Sequence, residues 1–128
     1  MRREQFSSGS PWESSVGYSR AVRVGPFVSV AGTTSIESDN AYTQAHQALG
    51  KIQRALEEAG AAVEDVTRTR IYVLRMGDAE AVGRAHAEYF GAVRPACTIV
   101  EVSALISMEM LVEIEAEAII AGPYFSER

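Results

Sequence analysis

A chain of 128 residues, 47% hydrophobic and 23% charged, has the size and composition of one folded domain. Its net charge of −5 argues against a general nucleic-acid binder. Its longest apolar run, Phe27 to Ala31, is far shorter than the roughly 20 residues that span a bilayer, so no membrane association is expected.

Residues 1–15 contain Ser7-Ser8-Gly9-Ser10-Pro11 and are expected to form a mobile leader, with residues 16–128 as a single domain. Trp12 is a large ring in this polar stretch and is expected to dock on the rest of the protein. Ser19–Val24 and Phe27–Gly32 read as two strands joined by a tight turn at Gly25-Pro26. From Ala41 to Ala59 the apolar residues Ala45, Ala48, Leu49, Ile52, Ala55 and Leu56 recur at steps of three and four. Gln44, Gln47, Lys51, Arg54 and Glu58 fall opposite, and Gly60 supplies a stop. That is an amphipathic helix.

Val66 to Leu74 alternates as a strand, with Thr67, Thr69, Ile71 and Val73 on one side and Arg68, Arg70 and Tyr72 on the other. Asp78 is placed to cap a shorter helix running to about Phe90. Cys97 to Val102 is a β-rich run, Ser103 to Met108 a loop, and Met110 to Ile120 a strand with one wholly apolar face. Its other face carries Glu113, Glu115 and Glu117. The order β-β-α-β-α-β-β defines an α+β domain in which a mixed sheet packs two helices on one face. The opposite face would gather two arginines, a tyrosine and three glutamates. Patterning alone favours simple solvation of that face, and a subunit interface is the alternative.

Known site motifs are absent: there is no phosphate-cradling glycine loop and no G-x-S-x-G elbow. His46, His86 and Cys97 lie at no metal-ligand spacing, so no metal site is expected. The lone Cys97 cannot form an internal disulfide and suits a reducing cytoplasm, and no apolar signal segment follows Met1-Arg2-Arg3-Glu4.

Several segments nevertheless agree with one family. Arg94-Pro95-Ala96-Cys97-Thr98-Ile99-Val100-Glu101-Val102, followed by Val112-Glu113-Ile114-Glu115-Ala116, resembles the RidA (YjgF, endoribonuclease L-PSP-like) family. Tyr18 with Val24-Gly25 and Val28-Ser29-Val30-Ala31-Gly32 matches the family's entry pattern, and Leu56 to Gly60 and Glu88-Tyr89-Phe90 follow in order. The resemblance implies a chorismate-mutase-like fold and a homotrimer with ligand clefts between subunits. It also implies hydrolysis of 2-imino acids to 2-keto acids and ammonia, with no cofactor.

By the same resemblance, Glu113 takes the position of the glutamate that places water and exchanges its protons, and Tyr18 that of a cleft-closing tyrosine. The family's carboxylate-binding arginine, in the pattern R/F-P-A-R-S, corresponds to Cys97. Thr98 replaces the neighbouring serine, Ala31 a pocket serine and Gly83 an asparagine. Arg20, Arg23 and Arg94 are the possible substitute anchors, each more ordinary as a solvated charge. The reading favoured at this level is a protein that binds or processes a small carboxylate- or carbonyl-bearing metabolite without the standard deaminase site. An imine or enamine deaminase with a divergent anchor is the alternative. RNA cleavage or translation inhibition, suggested by the family's older label, fits the acidic charge poorly.

Overall fold

The computed structural model describes residues 1–122. Six strands form one mixed sheet: β1 (Arg3–Phe6), β2 (Ala21–Val24), β3 (Phe27–Thr33), β4 (Val66–Val73), β5 (Ala96–Glu101) and β6 (Val112–Ile119). Three helices accompany them, α1 (Pro11–Val16), α2 (Ala41–Glu58) and α3 (Ala79–Phe90). The strand order is β1-β2-β3-β6-β4-β5, antiparallel throughout except for the parallel β4–β5 pair. That parallel pair needs a crossover, and α3 provides it.

The α2 and α3 helices pack on one face of the sheet, as the periodicity requires. Leu49, Ile52 and Leu56 of α2 are wholly buried with Ile71, Val73, Val112 and Ile114 of the sheet. Burying each of these side chains contributes about 2 kcal/mol, so this layer dominates the stability. Ala45, Ala48 and Ala55 let the helix lie close to the strands. Asn40 starts α2 by accepting from the Thr43 amide at 3.0 Å. At the other end Gly60 adopts φ +89°, and Arg23 donates from Nη1 to the Ala59 carbonyl at 2.7 Å. Arg23 is therefore a helix-capping residue rather than a ligand anchor.

The structure departs from the sequence reading in four places. Residues 3–6 and 11–16 are a strand and a short helix, where loop was expected, because β1 finds its ladder on the outer edge of β2. Gln44, expected on the polar face of α2, is fully buried: its amide donates to the Ser38 and Glu109 carbonyls and accepts from the Leu111 amide. The alternation in β4 breaks at Thr67, where the register against β6 shifts; Val66 is buried and Thr67 exposed. Asp78 precedes α3 but makes no capping hydrogen bond and faces Arg75 at 3.7 Å.

The second sheet face is polar, as the alternation demands. Arg70 pairs with Glu117 at 2.9 Å and Glu115 at 3.5 Å, and Tyr72 donates its hydroxyl to Glu115. That hydrogen bond, with burial and the carboxylate charge, raises the Tyr72 pKa. Glu115 and Glu117 are thus satisfied within the chain, and Glu113 is left out of the network.

Candidate functional site

Glu113 owes its position to an irregularity in the neighbouring strand. Val30 of β3 pairs with Ala116 and Thr33 with Ile114, so β3 spends one more residue than β6 over this interval. The resulting bulge falls at Ala31–Gly32, and such bulges turn a strand and re-aim the side chains around it. Gly32 has no side chain, and the Glu113 carboxylate occupies the space where one would be.

The same bulge holds Arg20. Its Nη1 donates to Thr33 Oγ1 at 3.0 Å and its Nη2 to the Gly32 carbonyl at 2.8 Å. The guanidinium carbon sits 5.9 Å from the Tyr18 ring centroid, a cation–π arrangement. Glu113 is half-buried, and this desolvation raises its pKa above the usual 4.5; the charge of Glu115 adds to the rise, while Arg20 opposes it. A carboxyl group with a raised pKa beside a cation can both take and return a proton.

Together these residues floor a cleft of about 960 Å³. Tyr18, Arg20, Ala31, Gly32 and Glu113 form the sheet side, Lys51, Arg54 and Glu58 the α2 side, and Ile106 and Met110 the loop side. The N-terminal segment closes the remaining side with Trp12 and Val16 of α1. Trp12 lines the cleft but remains 49% exposed, so the ring is not buried against the core as a docked residue would be. Glu13 fixes that segment: its carboxylate accepts from Ser7 Oγ at 2.7 Å, Ser8 Oγ at 2.6 Å and the Ser8 amide at 3.0 Å. Those donors hold the Glu13 carboxyl down at about 2.

The remaining sequence-derived positions lie elsewhere in the chain. Cys97 is exposed on edge strand β5, in register with Thr69, while Thr98 is in register with Arg70. Since β4 separates β5 from β6, Cys97 cannot neighbour Glu113 on an adjacent strand; only a second subunit could bring the two together. Gly83 lies on α3 with open space around its Cα. Of the three substitute anchors, Arg20 alone lines the cleft; Arg94 bonds the Gly91 carbonyl at an exposed turn. His86 shares a 2.8 Å hydrogen bond with Thr69 and lies with its ring centroid 4.7 Å from that of Phe90 in a tilted arrangement, and burial lowers its pKa. It is a packing histidine.

Sequence inspection assigned Gly32, Lys51 and Arg54 no role in a site, placing the first in a strand motif and the other two on the polar face of α2. For Gly32 a signal existed, since a glycine inside an alternating strand marks a bulge or a close approach. Among the described residues no group of three or more His, Cys, Asp and Glu side chains could hold a metal ion. No helix there is long and apolar enough to cross a membrane.

Comparison with known proteins agrees with this architecture. The family model described as Endoribonuclease L-PSP matches residues 9–120. The chain belongs to the RidA/YjgF family. Within that family it is 52% identical to Rv2704 of Mycobacterium tuberculosis, a member of the YjgF/YER057c/UK114 group. That similarity covers 93% of this chain and 100% of Rv2704, with a TM-score of 0.90. It is 44% identical to protein SCO2049 of Streptomyces coelicolor, over 92% of this chain and 91% of that one. A more distant relative, 31% identical over 79% of this chain and 85% of its own length, is the 3-aminoacrylate deaminase RutC of Acinetobacter baylyi. The RidA/YjgF neighbours are consistent with a chorismate-mutase-like α+β fold.

Proposed function

We propose that this RidA/YjgF-family protein hydrolyses the imine or enamine form of a small carboxylic acid, with Glu113 as the proton-transfer residue. The supporting observation is the Glu113 carboxyl: half-desolvated, raised in pKa, unpaired by the neighbouring arginine–glutamate network and facing a cleft. That combination marks a functional carboxylate more than a structural one. It moves the balance from a binding protein toward the enzyme reading, and the deaminase name of one relative points the same way.

The chemistry follows from the groups present. An enamine first tautomerises to the imine, whose C=N carbon is electrophilic. Water attacks that carbon while Glu113 takes one of its protons and passes it to the nitrogen, giving a neutral carbinolamine. Glu113 then carries the hydroxyl proton to the nitrogen as the C–N bond breaks, so that ammonia leaves as the C=O forms. One water is consumed, and one ketone and one ammonia are released. No redox partner enters the balance.

The protein is further proposed to act as a homotrimer, the polar sheet face turned toward its copies. Partly buried charges on that face, including Arg70 and Glu115, suit an enclosed polar interface. Cys97 and Thr98 would then reach a cleft across the subunit boundary rather than within the chain. A cytoplasmic setting is proposed from the free thiol.

The test is hydrolysis of 2-imino acids generated in a coupled assay, wild type against Glu113→Gln. Loss of turnover by at least a hundredfold in a folded Glu113→Gln protein is expected. Equal rates well above the uncatalysed one would remove Glu113 from the reaction, and a wild-type rate no faster than the uncatalysed one would remove the enzyme reading.

A further inference from the structure

We infer that Arg20 is the carboxylate anchor of the Glu113 cleft, and that the substrates taken there are 2-imino acids with a large apolar side chain. This rests on the imine-hydrolase reading for its reaction but has its own physical basis.

An acid hydrolysed at the carbon next to its carboxylate needs a cation close to the water-activating group, in the same cleft. Arg20 and Glu113 meet that requirement from one bulge. Arg20 is bonded to Gly32 and Thr33, and the Glu113 carboxylate fills the space over Gly32. The two hydrogen bonds also hold the guanidinium in place before a ligand arrives, which is what a planar two-point anchor requires.

The donors and the charge of Arg20 are only partly used. Its two bonds go to a hydroxyl and a carbonyl, both neutral, and it forms no ion pair within 4 Å among the described residues. Nε, shielded from solvent, has no hydrogen-bond partner. Each Nη has two hydrogens and donates one of them to the strand. The cation-bearing edge of the cleft is therefore unsatisfied, whereas Arg70 on the same sheet is saturated by two glutamates. Lys51 and Arg54 add positive charge on the α2 side, which favours entry of an anion.

The apolar part of the cleft lining sets the rest of the substrate. A three-carbon acid fills little of about 960 Å³, and Trp12, Val16, Ile106 and Met110 line the same cleft as Arg20. Trp12, Val16 and Ile106 keep much of their apolar surface exposed there. A branched or aromatic side chain would cover it, with its gain coming from apolar contact with the indole.

Binding of keto acids, the products of the proposed reaction, separates these ideas without relying on turnover. Calorimetry on the full chain would use phenylpyruvate, pyruvate and phenylacetone, the last replacing the carboxylate by a methyl group. Wild type is expected to bind phenylpyruvate at least tenfold more tightly than pyruvate. Arg20→Gln is expected to weaken phenylpyruvate binding at least tenfold while leaving phenylacetone binding unchanged, and Arg20→Lys to recover part of the loss.

Unchanged phenylpyruvate affinity in Arg20→Gln would overturn the anchor, as would equal loss of phenylpyruvate and phenylacetone, the mark of a structural role. Loss in Arg54→Gln alone would assign the charge to α2 and overturn it too. Pyruvate binding as tightly as phenylpyruvate would overturn the apolar substrate class. Arg20-dependent binding with no imine hydrolysis by wild type would retire the enzyme reading and keep the anchor. Full hydrolysis by Arg20→Gln would do the reverse.

Discussion

Gly32 and Glu113 compete for one volume: a Cβ on Gly32 would collide with the Glu113 carboxylate, lying 2.9 Å from its Cδ. The obstructed group is the far end of a flexible side chain, so the carboxylate would move and the strand would stay. Gly32→Ala is therefore expected to fold with a melting temperature within about 2 °C of wild type while turnover falls by roughly a hundredfold, since misplacing a reacting group by about 1 Å has that cost. Thermal melts and kcat/KM on the same samples check both halves. A large loss of stability would mean that the bulge itself, rather than the carboxylate, had been disturbed.

Glu113 also opposes folding at neutral pH. Its folded pKa is raised above the unfolded 4.5, so its contribution to stability is full below about pH 4.5 and declines as pH rises through the folded value. Glu113→Gln removes that decline. The variant is expected to melt above wild type at pH 8, with the gap closing toward pH 4, as read by calorimetry across that range. A wild type that melts higher at pH 8 would show that the carboxylate is stabilised by a partner outside its own chain.

Glu13 behaves with the opposite sign. Held at about 2 by the Ser8 and Ser7 hydroxyls and the Ser8 amide, it stabilises the N-terminal segment above pH 4.5 and loses that effect as pH falls through about 2. Trp12 is the chain's one tryptophan and lies in the same helix. Its fluorescence is expected to shift in that acid range before the core unfolds by far-UV circular dichroism. In Glu13→Gln the shift should already be present at pH 7.

Gln44 joins α2 to the loop before β6 through two hydrogen bonds, with Glu109 and Leu111, and a third ties it to Ser38 ahead of the helix. Gln44→Ala would leave the Leu111 amide without this acceptor and open a cavity under the loop. A loss of about 2–4 kcal/mol in urea unfolding is expected. Because the loop carries Ile106 and Met110, substrate affinity should weaken as well.

Light scattering at micromolar concentration is expected to give a trimer mass. Cys97→Ser is expected to hydrolyse imines within about twofold of wild type, because serine keeps the size of the side chain and the proposed proton transfer and anchoring fall to Glu113 and Arg20. A monomer mass would leave Cys97 and Thr98 outside any ligand site, and a large loss in Cys97→Ser would make the thiol a participant.

Local pattern was enough where one face of an element is buried. The steps of three and four in α2 and the alternation in β6 placed the core and brought Glu113 out on the polar face. It failed where a distant partner decides the outcome. Arg3–Phe6 is a strand because β2 offers an edge, and nothing in Arg-Glu-Gln-Phe announces it. Gln44 reads as a solvent-facing polar residue until the loop at 109–111 covers it. Arg20, Arg23 and Arg94 look equivalent along the chain, yet a bulge, a helix end and an exposed turn give them three different fates. The family resemblance placed Glu113 and Cys97 at matching positions, but that β4 lies between their two strands emerges only from the sheet order.

The outer side of β5 has a consequence for handling the protein. Ala96–Glu101 is paired to β4 on one side, and no strand of the described chain pairs with its other side. The strand contains one charge, Glu101, and has no proline within it. An uncovered strand of this kind offers backbone donors and acceptors to any similar edge and templates aggregation. If the proposed trimer is separated by dilution or by interface substitutions, its released subunits are therefore expected to be lost to precipitation instead of accumulating as dissolved monomers. A sedimentable fraction growing with time would report their release.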